Sequence, residues 1–388
     1  MGLTRTLANL CHAGPVFRDA IQCGNPEVLA SLMGPAYRGF VKQMAKNDGF
    51  SKFRVGFDAY FDWEYQRSGS DAMVQMRRLY EAAKRNQWNG STDLDWKTVI
   101  EPGPYGRGLM HDHLLPITDL PEFKALPEDR QIDQRLGLLS WMLSQFLHGE
   151  QGALVAASQV TEAVPWLDAK LYGSTQVVDE GRHVEVFHTY LTEKLGKLYQ
   201  INDNLYVVID ALMLSEEWDI KFLGMQIMIE GLALGAFSTI RHSTDEPLLR
   251  YLLKRVITDE ARHVHFGVIT LKEHWDTGMT ERERRYREDW ALEVSIQLRN
   301  RFLAHEFYEE YYAHMMSRSE WDKLVLGSPL MANFRKTIFK RIMPNLRRLG
   351  LMSSRVERHY KSLGLLDLSY GKAATELSAE DMLEEAAA

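Results

Sequence analysis

Asp179-Glu180-Gly181-Arg182-His183 and Asp259-Glu260-Ala261-Arg262-His263 carry one signature twice, 80 positions apart. Each inner glutamate follows an earlier one by 30 residues: Glu180 follows Glu150, and Glu260 follows Glu230. On a helix, Glu-x-x-His sets a carboxylate and an imidazole one turn apart on one face. Glu150 stands 15 residues before Pro165 and Glu180 stands 15 after it. An antiparallel hairpin turning at Pro165 brings both carboxylates to one height, about 22 Å from the turn at 1.5 Å per residue. Glu230 and Glu260 are centred in the same way on Asp245. Two such hairpins place four carboxylates and two imidazoles at one level of a four-helix bundle.

The surrounding chain reads as the helices this requires. Asp133 to Val164 is apolar almost all round in its middle, and Trp166 to Gly196 follows Pro165. Leu205 to Leu214 is a short crossover, and Trp218 to His242 is the third long helix. Ser243-Thr244-Asp245-Glu246-Pro247 is a start signal for a fourth, running to about Trp275. Gly278-Met279-Thr280 opens a fifth, with a charged face from Glu281 to Arg287. Earlier in the chain, Met73 to Trp88 is amphipathic and ends at Asn89-Gly90. No convincing strand alternation occurs.

The predicted fold class is all-α, a four-helix bundle that resembles the ferritin-like bundles, with additional N- and C-terminal helices. Residues 1–125 read as a mostly helical elaboration and 126–320 as the di-metal bundle. Residues 321–388 read as a basic helical segment with an acidic tail. The basic residues, among them Arg335, Arg341, Arg347 and Arg355, read as a solvated helix face or a dock for an acidic electron carrier. Residues after Lys372 are Ala- and Glu-rich and are expected to fray.

Composition excludes several classes. The 388 residues are 45% apolar and 26% charged, with a net charge of -7, which gives no reason to expect a nucleic-acid partner. Two cysteines, Cys11 and Cys23, exclude a disulfide framework, a cysteine zinc site and an iron–sulfur cluster, and suggest a cytoplasmic protein. Met1-Gly2-Leu3-Thr4-Arg5-Thr6 meets the loose myristoylation pattern by chance. Gly224 to Ile240 is the most apolar stretch, but it is short for a membrane span and carries Glu230 near its middle. A buried helix presenting one functional carboxylate explains it better.

Carboxylates with imidazoles favour iron or manganese over copper. Without metal, four ionised acids inside an apolar bundle would repel one another severely. The chain thus resembles the ferritin-like di-iron carboxylate superfamily. Its two Asp-Glu-x-Arg-His signatures look most like the larger oxygen-activating members, such as multicomponent monooxygenase hydroxylase subunits. The resemblance covers about residues 130–275. It implies one iron on Glu150, Glu180 and His183 and a second on Glu230, Glu260 and His263, with Glu180 and Glu260 as bridges. It further implies that Asp179 and Asp259 accept hydrogen bonds from ligand histidines, often across hairpins, with Arg182 and Arg262 completing a buried charge network.

Departures narrow the branch. The cysteines of rubrerythrins are missing. Phe187 stands where ribonucleotide reductase small subunits carry a radical tyrosine, Val256 where arylamine oxygenases add a histidine, and Leu234 where multicomponent hydroxylases often have threonine. Ala153, Leu154, Ala157, Ala233 and Phe237 suggest either ordinary packing or a dry pocket beside the metals. Gly149, Gly152, Gly231 and Gly235 suggest close helix approach or a bulge there. His148, His188 and His265 read as core or surface histidines, while His111 and His113 lie in a loop.

The expected function is a di-iron oxygenase that uses O₂ to oxidise a small or medium organic substrate. Its electrons would come from a separate reductase or ferredoxin. The alternatives are an iron or manganese–iron oxidase or radical-cofactor protein, an acyl desaturase, and a non-catalytic bundle. A homodimer is compatible with each.

Overall fold

Val164-Pro165 breaks the first apolar run, because proline cannot donate to the helix it would continue. The computed structural model, which describes residues 54–65 and 67–384, turns the chain there. Helix α1 is Asp71–Arg85, α2 is Glu128–Ala163 and α3 is Leu167–Thr189. Helix α2 begins earlier than its apolar pattern, directly after Pro127, with Glu128 and Asp129 in its first turn. Acidic side chains there suit the positive end of the helix dipole. The expectations about Met1–Thr6, Cys11 and Cys23 lie outside the described residues.

The crossover α4, Asp203–Leu214, leads to α5, Trp218–His242, and α6, Pro247–Asp276. Among the described residues α5 is the one helix long and apolar enough to cross a membrane, yet 94% of its apolar window is buried in the protein. The start of α6 is held as its sequence suggests. Pro247 occupies the first turn, and Glu246 accepts from the backbone N–H groups of Leu248 and Leu249. Tyr190 donates to the same Glu246 at 2.7 Å, tying the end of α3 to the start of α6. Helix α7, Glu281–Asn300, opens on a Thr280/Glu283 capping box.

Two stretches depart from α-helical pitch, the first directly before Glu230 and Gly231, where a bulge was one expectation. Leu223–Ile229, inside α5, is a π-helical stretch that ends immediately before Glu230, and Tyr190–Leu195 forms another at the end of α3. Every residue from Leu223 to Ile229 is buried, so hydropathy carries no period that would betray the change of pitch. Such turns are frequent at functional sites.

The C-terminal part is α8 (His305–Tyr311), α9 (Arg318–Gly327), α10 (Pro329–Phe339), α11 (Met343–Arg348), α12 (Ser354–Ser362) and α13 (Ala379–Glu384). The frayed tail expected after Lys372 is corrected. Ala374 donates to the buried Asn345, Met382 is buried, and α13 packs on α5 and α6. The basic stretch is also more than a solvated face. Arg355 pairs with Glu288 and Asp289, Arg347 with Glu357, and Arg335 binds the carbonyls that end α9.

The in-helix glycines mostly admit outer helices. A Cβ on Gly235 would lie 2.6 Å from Ile338 Cα of α10, and one on Gly152 would lie 3.2 Å from Ile209 of α4. Gly231 similarly faces Arg341, whereas nothing stands within 4 Å of a Cβ on Gly149. Gly235→Ala is therefore expected to lose about 1–3 kcal/mol in urea denaturation, because the obstacle is backbone. Gly149→Ala should gain about 0.5–1 kcal/mol from helix propensity in the same assay.

Candidate metal centre

Four helices each deliver part of one buried cluster. Glu150 comes from α2, Glu180 and His183 from α3, Glu230 from α5, and Glu260 and His263 from α6. All six are at most 5% exposed. Ligand atoms of Glu150, Glu180, His183 and Glu260 lie within 4.8 Å of one another, as do those of Glu180, Glu230, Glu260 and His263. Glu180 and Glu260 belong to both groups, the placement needed of carboxylates that bridge two ions.

The imidazoles point their Nδ1 atoms at the acids. His183 Nδ1 is 3.3 Å from Glu150 Oε2 and 3.1 Å from Glu260 Oε1. His263 Nδ1 is 3.1 Å from Glu180 Oε1 and 3.2 Å from Glu260 Oε2. Each Nε2 turns outward to the aspartate of the opposite hairpin. His183 meets Asp259 at 3.2 Å and His263 meets Asp179 at 3.3 Å. That contact fixes ring orientation and leaves Nδ1 for a metal.

Asp179 and Asp259 form an ion square with two arginines. Arg182 donates to Asp179 and, at 3.0 Å, to Asp259. Arg262 donates to Asp259 at 2.5 Å and to Asp179 at 3.2 Å. All four side chains are nearly fully buried. Two positive and two negative charges cancel, and every carboxylate oxygen has a donor, which is what makes such burial tolerable.

Sequence reasoning missed two members of this network. Trp88, just beyond α1, donates its indole N–H to Asp259 at 2.7 Å, and its ring lies 4.6 Å below the Arg182 guanidinium. Gln87 donates to Asp179 at 3.1 Å and accepts from Arg182 at 2.9 Å. Neither residue belongs to the duplicated pattern. The available signal was a tryptophan, which needs a hydrogen-bond partner when buried, at the end of an amphipathic helix. Gln176 of α3, also unforeseen, donates to Glu180 and Glu230 at 3.2 and 3.0 Å.

The cluster passes a test of fit for two metals. Glu180 Oε2 and Glu230 Oε2 are buried and accept no hydrogen bond among the described residues, so both keep a free donor pair. Four carboxylates offset two divalent ions in charge. Burial, and then the Glu260 charge, raises Glu150 and Glu230 well above the usual carboxylate range. Burial would also raise Glu180, but the two histidines outweigh it and hold that group low. Burial likewise disfavours charged His183, yet hydrogen bonds to Asp259 and Glu150 raise it.

The flank of the cluster is aromatic. Phe237 meets Phe146 edge-on at 4.6 Å and stacks on Phe187 at 5.5 Å, so one of the residues expected to line a pocket is engaged in packing. The other histidines stand apart: His148 contacts the Tyr199 carbonyl, His113 contacts Ser243, and His188 is exposed.

No protein-family model matches the sequence, and no curated protein matches it either. Solved structures similar to it include an R2-like ligand-binding oxidase with aerobically reconstituted Mn/Fe cofactor. That match has 18% identity and a TM-score of 0.45, and covers 73% of this chain and 94% of the other. A variant of such an oxidase with anaerobically reconstituted Mn/Fe cofactor is 20% identical with a TM-score of 0.43, covering 72% of this chain and 93% of the other. At this similarity the chemistry of the present chain rests on its own geometry.

Two outcomes follow. Burial shifts Glu150 and Glu230 toward their protonated forms, so protons compete with metal at these carboxylates. Adding ferrous iron anaerobically to weakly buffered metal-free protein is expected to acidify the solution. Affinity should rise as pH rises, because protons compete with the ion; an indicator-dye titration reads both. Trp88→Phe removes the indole donor to Asp259 while keeping a ring. It is expected to weaken metal binding about 10–100-fold, read by competition with a chelator.

Proposed function

We propose that this chain is a non-haem dimetal oxidoreductase that consumes O₂, with Glu150, Glu180, His183, Glu230, Glu260 and His263 as metal ligands. The observation carrying the reading is the pair of overlapping buried ligand groups that share Glu180 and Glu260. A bound pair of irons, or of manganese and iron, would supply the redox capacity to activate O₂. The protein's own part is to fix the imidazoles through Asp179 and Asp259, to hold Glu180 and Glu230 through Gln176, and to keep water out.

Two forms of turnover fit this centre. In the oxygenase form, a small or medium organic substrate takes up oxygen, and a separate ferredoxin or reductase supplies electrons in the cytoplasm. In the oxidase form, O₂ is reduced without insertion into a substrate. The packing of Phe146, Phe187 and Phe237 against one another, one or two turns from Glu150, His183 and Glu230, supports the oxidase form, since it closes that side of the layer with apolar rings. The structures reported above are also described as oxidases, with Mn/Fe cofactors.

Metal content after anaerobic loading with iron and manganese, followed by O₂ uptake, tests this. About two ions per chain are expected, mostly lost in a His183→Ala, His263→Ala double variant. Admission of O₂ to the reduced protein should then consume it stoichiometrically. Label from ¹⁸O₂ in an organic product selects the oxygenase form; label recovered only in water or peroxide selects the oxidase form. Equal, negligible metal in both proteins would sink the proposal.

A further inference from the structure

One side of the metal layer contains two polar residues that the ligand set does not use, beside an unpartnered oxygen of one ligand. Gln226 lies in the π-helical stretch of α5, four residues before Glu230, and is fully buried. Neither its amide nitrogen nor its amide oxygen has a hydrogen-bond partner among the described residues. Tyr172 of α3 is also fully buried, and its phenol is likewise unpartnered. Glu230 Oε2 is the third orphan. Gln176 provides the internal contrast, since the same residue type, equally buried, donates to both Glu180 and Glu230.

These groups come from α3 and α5, and Tyr172 and Gln226 pack against adjacent residues of α6. Tyr172 is one turn from Gln176 on α3, and its ring packs at 4.3 Å on Phe266, one turn beyond His263 on α6. Gly267, beside Phe266, makes room for Gln226: a Cβ there would lie 2.6 Å from the Gln226 Cβ. Tyr172 is within electrostatic reach of His263, Arg262, Asp179 and Glu230, and burial keeps its phenol protonated. A buried polar group with no partner destabilises the fold, so leucine and phenylalanine would serve a purely structural core better.

We propose that Gln226 and Tyr172 form a hydrogen-bonding cradle for a small exogenous ligand of the metal pair, one that accepts hydrogen bonds through oxygen or nitrogen, such as water, hydroxide or a small linear anion. The proposal rests on the two-metal reading above. The amide N–H and phenol O–H donate to the ligand, and the amide oxygen accepts from it when it carries a proton. The cradle therefore favours ligands that accept hydrogen bonds over apolar ones of equal size.

Azide is a suitable probe, because its binding to ferric iron gives a charge-transfer absorption band independent of turnover. Iron-loaded, air-oxidised full-length chain would be titrated with azide beside Gln226→Leu and Tyr172→Phe, with iron content and melting temperature recorded for each. The expected result is parental iron content in both variants, with the azide Kd weakened about tenfold or more in each, equivalent to about 1.4 kcal/mol. Melting of metal-free Gln226→Leu should be unchanged or higher. Azide constants within twofold of the parent in both variants, at equal iron content, would overturn the cradle and leave the metal site standing. A parent chain that takes up no iron would overturn the two-metal reading and the cradle with it. Tyr172→Phe keeps the packing on Phe266, so it decides the matter even where Gln226→Leu folds poorly.

Discussion

Mutual repulsion among buried acids is the constraint on which this bundle is arranged. Glu150, Glu180, Glu230 and Glu260 share one layer with almost no access to water. Desolvation alone makes that arrangement costly, and proximity makes it costlier. Two protein devices moderate it. Histidine Nδ1 atoms stand among the acids, and Gln176 donates to two of them. The remaining imbalance is what a pair of divalent cations removes.

The ion square solves a second problem of the same kind. Asp179 and Asp259 must stay ionised in the interior to orient the imidazoles. Burial opposes this, while hydrogen bonds from the histidines and the charges of Arg182 and Arg262 outweigh it and hold both carboxyls low. Because each aspartate serves the histidine of the other hairpin, the two hairpins are joined through polar contacts as well as through packing. Register between α3 and α6 is thereby tied to the metal layer.

Much of this was legible because the pattern is duplicated. Equal 30-residue spacings about Pro165 and Asp245 fix two hairpins of equal depth, which is enough to bring six side chains to one level. What stayed hidden has specific causes. The π-helical turn before Glu230 lies where every residue is apolar or buried, so no periodicity marks it. Trp88 and Gln87 reach the aspartates across more than 90 residues, and their own neighbourhood shows only an amphipathic helix end. The folded tail was obscured by composition. Alanine and glutamate suit disorder and helix alike, and only burial of Met382 and the Asn345 contact to Ala374 distinguish them.

The duplication would make two equivalent halves, but α1 exists once. Its end offers an indole to Asp259 and an amide to Asp179. An indole is a donor only, with a large polarisable face over Arg182, whereas an amide both gives and takes. The His183 and His263 imidazoles are thus backed by chemically different chains. A single helix outside the repeat in this way lends the centre a handedness, so that two ions entering it would experience different basicity from their imidazoles and need not be the same element.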